Sequence, residues 1–177
     1  MKVACASVPG SMPGTPVRHL ALAAIAGLLA ACGGSGGSPT DPGGSSEAQV
    51  ESRSFELLNQ ARRDQGVLPE LAFDPQLAEV ARAYSRAMRD RGFFSHIDPE
   101  GHDFVFRLQQ AGVAFTAAGE NLAMVTVAGD PAGFAHARFL ANPDHRANIL
   151  DPRLTHAGVG VARQGSTYWI TQLFIRR

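Results

Sequence analysis

The closing run HAGVGVARQGSTYWITQLFI, residues 156–175, constrains the fold more than any other segment. Its two halves are rich in β-branched and aromatic residues and meet at Gln164–Gly165, the pattern of two strands joined by a tight turn. A lone hairpin is marginal in water, so its apolar faces need cover. Upstream, the chain reads as helix. In FDPQLAEVARAYSRAMRDRG, Asp74 suits the N-cap and Pro75 the first helical position; Leu77, Val80, Ala81, Tyr84 and Met88 share one face. Arginines crowd the last turn, and Gly92 suits the residue after the end. Val50, Phe55, Leu57, Leu58 and Ala61 make an imperfect helical stripe across Glu47–Gln65. DPEG at Asp98–Gly101 fits a type I turn, and Asp103–Ala111 reads as a short helix ending at Gly112. AAGENLA reads as loop, and GDPAGFAHARFLANP as a further helix started by Asp130 and Pro131 and stopped by Pro143. Helices first and a hairpin last, with no βαβ repetition and no internal repeat, predict an α+β domain whose helices cover a mainly antiparallel sheet.

The front of the chain reads as an address. In VRHLALAAIAGLLAAC, residues 17–32, Arg18 supplies positive charge, and Leu20–Leu28 is an uncharged run too short for a stable membrane span. Its end, LAAC, resembles a bacterial lipobox, in which the leader is cut before cysteine and the thiol of Cys32 carries the lipid. A plain signal cleaved after AIA, Ala24–Ala26, is the competing reading. Acyl chains contribute about 0.8 kcal/mol per buried methylene, so two or three hold a protein on a membrane. The Gly/Ser-rich stretch after Cys32 cannot bury a core and reads as a flexible linker, spanning about 20 Å. The predicted organisation is therefore a lipoprotein-type signal at 1–31, the lipidated cysteine and linker at 32–46, and one folded domain at 47–177. Translation from Met12 would serve equally well. The expected location is the cell envelope, with the protein lipid-anchored at the outer membrane or cell surface.

Both cysteines, Cys5 and Cys32, precede the domain, so its stability must come from packing without disulfides or thiolate ligands. Without the leader the chain carries about −2, every cation is arginine, and no basic stripe survives. A nucleic-acid partner thus lacks its main electrostatic support.

Three polar residues stand apart at predicted turns: His96 in GFFSHIDPEG, Glu120 in AAGENLA, and His145 in NPDHRANIL. Separations of 24 and 25 residues exclude a local metal motif such as HExxH. Singly, each has a plain structural reading, as a cap, a turn bond or a helix start. Ser95 beside His96 is a poor nucleophile candidate, since adjacent residues rarely face each other and no Gly-x-Ser-x-Gly elbow occurs. Gly158 and Gly160 suggest close approach of backbone or a helix to a strand. Tyr168, Trp169 and Phe174 read as core, Arg146 as a partly buried arginine on loop carbonyls, and His102, His136 and His156 as surface or satisfied histidines.

Taken together and in order, FFSHIDPEG, GENLA, NPDHRANIL and AGVGVA followed by YWITQLF resemble the CAP superfamily of cysteine-rich secretory, antigen 5 and pathogenesis-related 1 proteins, in particular its cysteine-free bacterial branch. The resemblance covers about Phe55–Ile175. It implies a three-layer α-β-α sandwich in which these segments meet at one cleft, with His96, Glu120 and His145 as cleft residues. Eukaryotic members carry a second glutamate before the last histidine; here Asn142 takes that place and Asp144 is the nearest carboxylate. The resemblance further implies a divalent ion such as Zn²⁺ on His96 and His145, with the acid nearby. Two imidazoles and one carboxylate leave an open coordination position.

Three functions follow as expectations. The first is a non-catalytic envelope module whose cleft binds a small ligand, lipid or partner. The second is a metal-assisted hydrolase with Glu120 as general base. The third, a lipid or sterol carrier, requires an exposed apolar groove.

Overall fold

The structure, a computed structural model, describes residues 44–66 and 69–177. The predicted leader, Cys32 and the predicted linker up to residue 43 lie outside the described residues. Five helices, α1 (Glu47–Asp64), α2 (Pro75–Arg91), α3 (Phe104–Gln110), α4 (Pro131–Ala141) and α5 (Pro143–Leu150), surround four strands, β1 (Ala72–Phe73), β2 (Ala117–Thr126), β3 (His156–Gln164) and β4 (Thr167–Arg176).

The helix boundaries follow the local chemistry. Ser46 and Gln49 form a reciprocal capping box at the start of α1. Asp74 accepts from the backbone N–H groups of Gln76 and Leu77, Pro75 occupies the first turn of α2, and Gly92 ends it in the left-handed region at φ 69°. Asp103 and Asp130 cap α3 and α4 in the same way. Asn142 ends α4 and caps α5 at once, through Asp144 N–H at 2.9 Å and His145 N–H at 3.2 Å, so the proline stop at 143 also starts a new helix.

The sheet order is β1-β3-β4-β2, with β1 parallel to β3 and the other pairs antiparallel. Its β3–β4 hairpin is the predicted one. β2 is a correction: AAGENLA, read as loop, lies inside a ten-residue strand paired with β4 from Ala117↔Arg176 to Thr126↔Thr167. Gly, Glu and Asn are poor strand formers, but a full register of pairing and partners for both polar side chains outweigh that preference.

Both faces of the sheet are buried. Tyr168, Ile170 and Phe174 of β4 join Val159 and Val161 of β3 beneath α1, α4 and α5. Trp169 packs with Leu122, Ala162, Tyr84 and Met88, and Leu173 and Ile175 with Leu77, Ala81 and Leu108, under α2 and α3. This is the three-layer α-β-α sandwich. A Cβ at Gly158 or Gly160 would collide with the α2 backbone at Ala78 or Arg82, so these two glycines let α2 lie directly on β3. Ser85 closes that seam by hydrogen bonds to Gly160 O at 2.9 Å and Thr171 Oγ1 at 2.8 Å.

Candidate functional site

β2 is the outer strand of the sheet, and the site wraps its free edge. Alternation along β2 sends Glu120 to the α2–α3 side and Asn121 to the α4–α5 side. His96 follows α2 in the turn before α3, whereas His145 lies in the first turn of α5. The two rings approach across the strand edge with centroids 6.5 Å apart and planes tilted by 53°.

Glu120 is nearly sealed from solvent, its side chain 1% exposed. Its two oxygens are divided between two donors. Oε1 lies 2.9 Å from His96 Nδ1, and Oε2 accepts from Arg107 Nη2 at 2.6 Å. An ionised carboxylate paired this way can only accept, which places a proton on His96 Nδ1; in the neutral ring Nε2 then keeps its lone pair. Arg107 also donates to His102 O at 3.1 Å and His96 O at 3.4 Å, and stacks on the Tyr84 ring 3.3 Å from its centroid. Tyr84 Oη in turn donates to Ser95 O at 2.5 Å, and burial pushes its phenol up to about 12. Tyr84 and Arg107 also line an open groove of about 420 Å³ between α2 and α3, with Val80, Ala83, Ala87 and Phe106.

His145 is set from its own side. Phe139 meets its ring edge-to-face at 5.3 Å, and its carbonyl accepts from Asn121 Nδ2 at 3.1 Å. Burial, with the neighbouring His96, lowers its pKa below the ordinary imidazole value, although Asp144 opposes the shift. Asn148 of α5 bridges to β2, donating to Asn121 Oδ1 at 2.9 Å and Glu120 O at 3.3 Å. A side chain at 119 would strike Asn148, so Gly119 gives it access to the strand.

The structure thus brings His96, Glu120 and His145 to one strand edge. Asn142 is spent on capping α5, and Asp144 sits in the first turn of that helix. Asp98 caps its own turn and Glu100 pairs with Arg91. Arg146 is a correction: it is exposed and reaches Gln65, while the buried arginine is Arg62. His136 Nδ1 is buried without a hydrogen-bond partner, contrary to the reading of a satisfied histidine. Arg107 and Asn148 were not read as site residues from the sequence. Arg107 did carry a signal: it falls in the apolar stripe of Phe104, Leu108 and Ala111, where a cation has to find a partner inside.

A divalent ion would find two imidazole nitrogens here. Among the described residues, no group of three or more His, Cys, Asp or Glu side chains is placed to hold one. Two imidazoles on one tetrahedral zinc put their ring centroids about 5 Å apart, so the rings would need to close by about 1–1.5 Å. Glu120, committed to His96 and Arg107, fits the supporting carboxylate behind a histidine ligand better than a third ligand.

The model of the cysteine-rich secretory protein (CAP) family matches residues 55–174. Two Bacillus subtilis proteins are similar: the uncharacterized protein YkwD, 35% identical over 131 residues, and the uncharacterized membrane protein YlbC, 37% identical over 127. The matches cover 74% and 72% of this chain but only 49% and 34% of those relatives, so the chain spans half their length or less. Among solved structures, an SCP-domain-containing extracellular protein from Bacillus anthracis superposes with a TM-score of 0.65 at 36% identity, covering 74% of this chain and 41% of that one. The strands and helices that build the His96 edge all begin within the matched span, and this chain belongs to the cysteine-rich secretory protein (CAP) family.

Proposed function

We propose that this chain is an exported, lipid-anchored envelope module whose two-imidazole cleft binds a ligand without turning it over, and holds a divalent cation weakly and reversibly. The observation that carries this reading is the commitment of Glu120. It is the carboxylate hydrogen-bonded to a cleft ring, it is buried, and each of its oxygens already has a donor. A general base must reach the proton it removes. Glu120 instead supports His96, which leaves the imidazoles as the groups a ligand can meet. Export is supported by the leader pattern, and by the similarity to a protein described as extracellular and to one described as a membrane protein.

Calorimetric titration with ZnCl₂ tests the cleft. Wild-type protein is expected to give the heat of one weakly held ion, and His96→Ala and His145→Ala each to lose it. No heat in wild type removes the cation from this reading, and unchanged heat in both variants moves it elsewhere. A peptide or ester hydrolysis present in wild type and abolished in Glu120→Gln would replace the reading with the hydrolytic one.

A further inference from the structure

We infer that Arg107 is the positioning residue of the cleft: it pins the Glu120 carboxylate and the main chain of the His96 turn, and so determines which nitrogen of His96 faces a ligand. This rests on the reading of His96 as a cleft residue.

The geometry is that of a clamp. One guanidinium joins four groups from three parts of the chain: the Glu120 carboxylate on β2, the carbonyls of His96 and His102, and the Tyr84 ring on α2. The turn between α2 and α3 is therefore tied by Arg107 at His96 O and His102 O, by Tyr84 at Ser95 O, and by Glu120 at the imidazole itself. Within the turn, Asp98 also accepts from the N–H groups of Glu100 and His102. Little freedom is left for the His96 ring.

The charge arrangement points the same way. A buried carboxylate needs a cation, and arginine is the one suited to an enclosed site because its planar fork meets an oxygen and neighbouring carbonyls together. With Arg107 as the counter-ion, His96 has only to contribute one N–H to Glu120. The bond from Nδ1 then leaves Nε2 as the ring's acceptor toward the cleft. Lysine at 107 would preserve charge but could not hold the carboxylate, both carbonyls and the Tyr84 face at once.

Two-bond ¹H–¹⁵N spectra of histidine-labelled protein at about pH 8, where free imidazoles are neutral, read the tautomer directly. Wild-type His96 is expected to show one tautomer, protonated at Nδ1 and bare at Nε2. In Arg107→Met that single signature should be lost, and Zn²⁺ affinity should fall by at least about tenfold, as for other residues behind a histidine ligand. Arg107→Lys should fall between the two. The inference is overturned if folded Arg107→Met keeps both the wild-type tautomer and the wild-type Zn²⁺ affinity, or if wild-type His96 carries its proton on Nε2. Should Arg107→Met fail to fold, a wild-type spectrum and wild-type affinity in Arg107→Lys overturn it instead. A wild-type tautomer that collapses in Arg107→Met while neither protein binds Zn²⁺ leaves the positioning role standing and removes the cation-binding reading.

Discussion

Arg62 is fully buried on α1 and donates to the carbonyls of Ile149 at 2.9 Å, Asp151 at 3.0 Å, Pro69 at 3.0 Å and Leu154 at 3.3 Å. Three of these acceptors lie where α5 ends and the chain approaches β3, and Pro69 lies between α1 and β1, so one side chain ties together two connecting segments. Arg62→Met keeps the stem but leaves several carbonyls without donors. It is expected to cost about 3 kcal/mol or more, read as a lower midpoint in urea unfolding with little change in slope. The sequence suggested that an arginine would have this role and pointed to Arg146. Nothing local separates the two, because burial depends on where distant carbonyls converge. His96 and Glu120 differ in this respect. Their ordered motifs marked them in advance, although neither spacing nor propensity showed that Glu120 would be shared with Arg107.

At the scale of elements, a close approach to β3 was legible because glycine at 158 and 160 had a plain steric meaning, and the structure identifies the approaching element as α2. Gly160→Ala would drive a methyl into the α2 backbone at Arg82 and push the helix off the sheet. The expected loss is about 2–3 kcal/mol, at the upper end for overpacking, checked by thermal or denaturant unfolding. α2 and α3 were equally legible, since caps, periodicity and terminal glycines act within a few residues. β2 was not. Its Gly119, Glu120 and Asn121 look like a loop until β4 pairs with them and Asn148 and Arg107 satisfy them. Tertiary partners turned a weak strand into the one that carries the site.

For the molecule as a whole, two imidazoles weaken stability in mild acid. Burial lowers the pKa of His136, reinforced by Arg53, and of His145, reinforced by His96. In the unfolded chain both return to about 6.5, so below that pH the unfolded state binds protons that the folded state excludes. The stability these rings contribute is therefore complete above about pH 6.5 and is lost as pH falls from there toward their lowered folded-state values. Thermal melts at about pH 7.5 and about pH 5 should show this drop, and His136→Phe should make it smaller. The proposed tether is tested on the intact chain in a bacterial host. Wild-type protein should incorporate radiolabelled palmitate and sediment with membranes, whereas Cys32→Ala should remain unlabelled and soluble. Labelling that survives in Cys32→Ala would end the lipobox reading. Helix ends, the hairpin and the α+β class were determined by the chain itself, because capping and periodicity depend on near neighbours, whereas the three-layer order and the residues to watch came from the resemblance that the ordered motifs carry. The convergence of His96, Glu120 and His145 on one strand edge was decided only by the tertiary structure, as were the pairing of the half-buried Arg107 with Glu120 and the burial of Arg62 among carbonyls of the α5–β3 connection. Those contacts join residues far apart in sequence, and a charge accepts burial only where the fold has already gathered its partners.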